Sequence, residues 1–115
     1  AASSGNSYAY YSGYYPAVDL GNLIGIAAES AVTNGTMKMY AYSLTDINRV
    51  SSSDTVVKKY TAALEKSGFK YYYSFDDEDG FPVLVYRNSQ YGVLVYLGMD
   101  YDDYDAYMLV AVDYE

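Results

Sequence analysis

Two acidic runs hold the residues whose types and spacing come nearest to a chemistry in this 115-residue chain. "DDEDG" spans 76–80, and "GMDYDDYDAY" spans 98–107 with aspartate and tyrosine interleaved. Hard cations take about six to eight oxygen ligands, and two facing carboxylate loops can supply them. Asp77, Asp79, Asp100, Asp102, Asp103 and Asp105 are therefore the candidate ligands of a weak calcium site. No known loop template fits. An EF-hand alignment on Asp77, Asp79 and Gly80 puts Phe75 at its first position and Tyr86 where the bidentate glutamate belongs. Asp and Gly also form ordinary turns, so solvated hairpin tips are the first expectation. A weak cation site comes second, and a docking surface for a basic partner third.

Other chemistries are poorly supplied. The chain contains neither histidine nor cysteine, which removes histidine bases, Cys or His nucleophiles, Cys/His metal sites and disulfides. Its serines lack a G-x-S-x-G elbow or a Ser/Lys motif, and "GNLIGIAAES" has neither the Walker lysine nor the dinucleotide spacing. A pair of carboxylates suits glycoside hydrolysis, but so short a chain has little room for a substrate cleft beside its core. The expectation is a non-catalytic protein with no cofactor beyond weak calcium. With a net charge of −8 and seven basic residues, a nucleic-acid or anionic-membrane partner is disfavoured, because binding phosphates needs clustered Lys and Arg. No apolar run approaches the roughly 20 residues that span a bilayer.

Tyrosine is the most informative residue: there are 18 of them and no tryptophan. Residues 1–16, "AASSGNSYAYYSGYYP", form a low-complexity Tyr/Ser/Gly stretch, expected as a tail or linker; the alternative is a Tyr-rich strand docked on the domain. Residues 17–115 are expected to form one domain. The chain begins at Ala1, which suggests a processed form.

The elements that must position these residues follow from periodicity. Asn34-Gly35 signals a turn before a strand over 36–44. Serines 51–53 and Asp54 offer N-caps to a helix of about 13 residues, with Val56, Val57, Tyr60, Ala63 and Leu64 on its apolar face and Gly68 ending it. After Gly68 the period changes to two, and 69–75, 81–87, 91–99 and 105–114 read as four strands joined by short turns, hence antiparallel. The predicted fold is α+β: strand, helix, then a four-stranded meander, with one amphipathic helix packed on one face of a mostly antiparallel sheet.

"YYPAVDLGNLIGI", followed by a Tyr-rich strand and a helix closing on "YTAALEKSGF", resembles small exported domains of Gram-positive bacteria, found as lipoproteins or beside other surface modules. In those domains a "YP...DFG...G" opening precedes a strand and a helix closing on "Y...L...GF". The likeness is carried by Tyr15-Pro16, Gly21, Gly25, Tyr60, Leu64, Gly68 and Phe69, with Leu20 standing where that pattern has Phe. The resemblance implies an extracellular or cell-surface location in a bacterium and supports the fold. It brings no catalytic residue.

Meander geometry places the two acidic turns at the same end of the sheet. Together with Asp46 and Asp54, they gather Asp76, Asp77, Glu78, Asp79, Asp100, Asp102, Asp103 and Asp105 at one pole, opposite Lys66, Lys70 and Arg87. Alternation sorts the strands into an aliphatic set and a Tyr/Leu set. The aliphatic set is Val83, Val85, Val93, Val95, Leu97, Met108, Val110 and Val112, expected beneath the helix. The other set includes Leu84, Tyr86, Leu94, Tyr96, Tyr107 and Leu109, joined by Tyr72 and by Tyr40 and Tyr42. Leu23, Ile24 and Ile26 are expected to cover this second face, since a large open apolar patch is unusual on a monomer. If it is open, Tyr72, Tyr86, Tyr96 and Tyr107 form a binding platform for a protein, a peptide or a cell-surface carbohydrate. The functional expectation is an exported binding or adaptor module; a structural spacer domain is the alternative, and a small enzyme comes last.

Overall fold

A computed structural model describes residues 8–101 and 105–115. The fold is α+β: a six-stranded antiparallel sheet carries its helices on one face. The chain enters through a short helix, α1 (Leu20–Ile24), and a hairpin, β1 (Ser30–Asn34) and β2 (Met37–Ser43). Two helices follow, α2 (Leu44–Val50) and α3 (Ser53–Lys66), and then the meander β3 (Lys70–Asp76), β4 (Pro82–Asn88), β5 (Val93–Tyr101) and β6 (Ala106–Tyr114). Strand order is β1-β2-β6-β5-β4-β3, so the first hairpin extends the meander at β6.

Local chemistry accounts for the element ends. The Ser52 side chain accepts from the Thr55 amide at 3.2 Å and caps α3, satisfying a donor that a helix start otherwise leaves orphaned. Ser43 caps α2 in the same way, and Asp19 caps α1. The β1–β2 loop is only Gly35 and Thr36, as the Asn34-Gly35 signal implied. Hydrophobic burial then decides the rest: Val56, Tyr60, Ala63 and Leu64 of α3 pack with Ile47 of α2 and Leu20 and Ile24 of α1 over Val93, Val95, Leu97, Met108, Val110 and Val112.

The N-terminal stretch belongs to this core. Residues 10–16 fall in the stretch whose composition suggests a tail or, alternatively, a docked Tyr-rich strand; Tyr11 and Tyr14 are buried and Tyr10 bridges Val18. Tyrosine side chains tie the segment down through hydrogen bonds that a polar tail would have given to water. Tyr11 Oη lies 2.5 Å from Tyr42 Oη and accepts from the Leu20 amide, Tyr60 donates to the Val18 carbonyl at 2.7 Å, and Tyr14 donates to the Thr36 carbonyl. Ring stacking of Tyr11 on Tyr40, with centroids 4.1 Å apart, adds apolar contact. Gly21 belongs to the same joint: a Cβ there would sit 2.4 Å from the Ile26 carbonyl oxygen and 3.0 Å from the Tyr42 ring.

Two expectations about the sheet faces are overturned by the register. Tyr86 pairs with Val95 and Val85 with Tyr96, so β4 is out of phase with the aliphatic set: Leu84 and Tyr86 face the helices, and Val83 and Val85 face away. The cause is the β4–β5 turn. Asn88 pairs with Val93 across a four-residue loop, and an even loop sets odd-numbered residues opposite even-numbered ones. Asn88 fixes that loop through its buried side chain, which accepts from the Tyr91 amide and donates to the Ser67 carbonyl at the end of α3. Likewise Tyr40 and Tyr42 pair with Val110 and Met108, on the helix side.

The second overturned expectation concerns the cover. Residues 17–26 pack on the helix side, where Leu20 and Ile24 are buried and Leu23 and Ile26 are packed against the core. Residues 30–34 form an edge strand whose side chains are all exposed. Among the described residues, none covers the face opposite the helices.

Candidate functional site

The open face is built from alternate residues of five strands. Its centre is Tyr96 and Gly98 of β5 beside Leu109 and Ala111 of β6, with Val83 of β4 next to them. Larger side chains rise on both flanks: Met37 and Met39 from β2, and Phe75 from β3. Small residues in the middle and long ones at the sides turn a flat sheet into a groove of about 320 Å³, with Asp77 at one end. Gly98 makes its floor. A Cβ at that position would meet the Val83 side chain at 3.2 Å and rise into the groove.

The aromatic flank depends on an irregularity. β3 pairs regularly with β4 at Tyr71 opposite Tyr86, then resumes at Tyr73 opposite Val85, leaving Tyr72 as an extra residue. Such a bulge shifts alternation by one. Tyr71 therefore lies on the helix side, while Tyr73 and Phe75 are turned onto the open face. Tyr72 joins them, its ring 5.3 Å from the Arg87 guanidinium. Tyr72, Tyr73 and Phe75 are 53%, 45% and 43% exposed, values that set them apart from the buried tyrosines opposite. Consecutive rings touch: Tyr72 meets Tyr73 edge-on at 5.2 Å, and Tyr73 lies 6.0 Å from Phe75.

Of the four tyrosines expected to form a platform, three share this face. Tyr96 lies in the groove, Tyr72 stands on the bulge, and Tyr107 pairs with Asp100 at the acidic end. Tyr86 does not join them. It is buried under α3, and its hydroxyl is pushed up from the ordinary tyrosine range by burial, with the nearby Glu65 charge adding to the effect. Burial also raises Tyr96 from the ordinary tyrosine range, with Tyr73 and Asp113 adding to the effect. Tyr73, Phe75, Met37 and Met39 also lie on this face, although none is among the residues that alternation assigns to it. The methionines sat in a strand already recognised, but Tyr73 and Phe75 reach the face through a bulge with no separate signal in "KYYYSF".

The acidic tips meet at one end, as the meander implied. Asp76 pairs with Pro82 at the β3–β4 tip, Tyr101 pairs with Ala106 at the β5–β6 tip, and Phe81 and Tyr101 bring the tips together with ring centroids 4.7 Å apart. Asp46 starts α2 directly after β2 at this end. Asp77 serves its turn: its Oδ1 accepts from the Asp79 amide at 2.9 Å and the Phe81 amide at 3.0 Å. The Tyr107 hydroxyl lies 3.5 Å from Asp105 Oδ2. Among the described residues, no group of three or more acidic side chains is placed to hold a metal ion, and Asp102 and Asp103 lie outside them. The opposite end is mixed in charge: Lys70 pairs with Arg87, but Arg87 is ion-paired with Glu115, and Asp113 accepts from Thr36.

Among the described residues, no helix is long and apolar enough to cross a membrane. No protein-family model matches the chain, and no similar curated protein or solved structure is found.

Proposed function

We propose that the chain is a non-catalytic binding module, exported to the bacterial cell surface, that holds its partner on the open face of the sheet. The supporting observation is the uncovered groove of about 320 Å³ flanked by exposed Tyr72, Tyr73 and Phe75. An apolar concavity with a few polar tips suits binding: tyrosine offers flat ring area at low entropic cost, and a volume at the low end of the ligand-site range of roughly 300–1,000 Å³ admits a few side chains or one sugar ring. The non-catalytic reading draws on the absence of histidine and cysteine, and the surface location draws on the resemblance to exported domains. No cofactor enters.

Selection from a displayed random-peptide library, together with a glycan array, tests the reading when run on the wild type and on Gly98→Val, whose side chain would fill the groove floor. Ligands that bind the wild type and are lost on the variant are the expected result, with unchanged circular dichroism showing that the variant is folded. If no ligand distinguishes the two proteins, the face is not a binding surface and the spacer reading replaces it.

A further inference from the structure

The groove and the acidic end of the sheet, taken together, specify a class of partner, and this step rests on the binding reading above. Two of the chain's four methionines, Met37 and Met39, form one flank of the groove, whereas Met99 at its edge pairs with Met108 and packs against the core on the helix side. Methionine is unbranched and polarisable, so a methionine wall adapts to apolar side chains of different shape and favours no single small molecule. The charge around it is one-sided. Asp77 is the charged residue of the lining, and its Oδ1 is held by two backbone amides, which anchors the carboxylate at the groove mouth. Asp76, Glu78 and Asp79 surround it on the same tip; Asp100 lies across from Tyr107 on the open face, and the Phe81–Tyr101 ring contact holds the second tip beside the first. The far end has no matching excess of either sign, because Arg87 is already paired with Glu115. The whole chain carries −8, which works against a second copy of itself and in favour of a cation.

We propose that the open face binds a basic amphipathic peptide segment of a partner protein. Its apolar side chains enter the groove among Met37, Met39, Tyr96 and Leu109, and its Lys or Arg residues reach the tips bearing Asp77 and Asp100. Apolar anchors supply affinity in this arrangement, while the charges set orientation and speed of encounter.

The test uses three labelled synthetic peptides of about 15 residues with leucines at i, i+3, i+4 and i+7, the other positions being mostly Lys, Gln or Glu. Fluorescence anisotropy measures affinity, and amide chemical-shift changes in the protein locate the contact. The Lys peptide is expected to bind at least about tenfold more tightly than the Glu peptide, weakening as salt rises. Shifts should centre on Met37, Met39, Tyr96 and Gly98. The double variant Asp77→Asn, Asp100→Asn keeps an oxygen acceptor for the 77–81 turn while removing both charges. It should lose roughly three- to tenfold in affinity for the Lys peptide and leave the Gln peptide unaffected. Equal binding of Lys and Gln peptides at the groove would overturn the basic partner while leaving the binding face intact. Binding of the Lys peptide with shifts elsewhere, or of no peptide at all, would overturn the peptide assignment, and a failed ligand selection on the same face would then retire the binding reading too. Concentration-dependent shifts on the face without peptide would identify a second copy as the occupant and overturn the proposal.

Discussion

The two faces of the sheet use tyrosine in opposite ways. On the helix side, Tyr11, Tyr42 and Tyr60 are buried with their hydroxyls satisfied inside the protein, by one another or by the Leu20 amide and the Val18 carbonyl. On the open side, Tyr72 and Tyr73 meet edge to face and remain about half exposed. The same side chain is a structural cross-link in one setting and an accessible ring in the other. Hydrogen bonding makes the difference: a buried phenol without a partner would cost about 1–3 kcal/mol, so each tyrosine under the helices requires a specific acceptor or donor, and those outside require none.

Breaking the helix side should therefore unfold the protein, and breaking the open side should leave it standing. Tyr60→Ala removes a fully buried ring and its bond to Val18; a loss of about 3–5 kcal/mol in urea unfolding is expected. Tyr11→Phe keeps the ring but strands the Leu20 amide and removes one of the Tyr42 hydroxyl's hydrogen bonds, with an expected loss of about 1–3 kcal/mol in the same measurement.

High pH probes the same contrast without mutation. Burial pushes the Tyr42 hydroxyl up to about 12 and raises Tyr11 and Tyr60 further above the ordinary value of 10.0. In the unfolded chain these groups lose their protons near 10 while the folded protein keeps them, so above that point the unfolded state binds fewer protons and stability falls as pH rises. This contribution is whole below pH 10 and is lost progressively toward 12 and beyond. Thermal unfolding followed from pH 8 to 12 should show the decline. Phenolate absorbance from Tyr11, Tyr42 and Tyr60 should appear together with the loss of folded structure. A stability flat across that range would contradict the burial of these three hydroxyls. Tyr72→Ala is the mildest change: it removes only an exposed contact with Arg87 and Tyr73, and the unfolding midpoint should move by no more than about 1 kcal/mol in equivalent energy.

The two edges of the sheet sharpen the comparison. β1, "SAVTN", carries no charge and is exposed throughout, whereas β3 carries Lys70 and Asp76 at its ends and a bulge at its centre, devices that discourage further strand pairing. The bulge does double duty by turning Tyr73 and Phe75 onto the open face.

Much of the fold was legible in the chain. The amphipathic spacing of Val56, Tyr60, Ala63 and Leu64, the serine cap before them and Gly68 after them define α3 without reference to anything distant. Period-two alternation after Gly68 and the short acidic turns define the meander and bring its two acidic tips to one end. These are local properties, determined by side-chain periodicity and backbone preference within a few residues.

The candidate site was only partly legible. Alternation puts Tyr72, Tyr86, Tyr96 and Tyr107 on one face, whereas Tyr86 lies on the other because the loop after Asn88 has an even number of residues, and a one-residue change in pairing moves a whole strand's side chains across the sheet. Composition and periodicity alone determined a tyrosine-rich, acidic α+β protein and the strands of its meander. Tertiary structure decided which tyrosines are dry. Long-range hydrogen bonds from Tyr11, Tyr14 and Tyr60 draw the N-terminal segment onto the helix side, where it buries its own apolar residues and leaves the opposite face, among the described residues, uncovered.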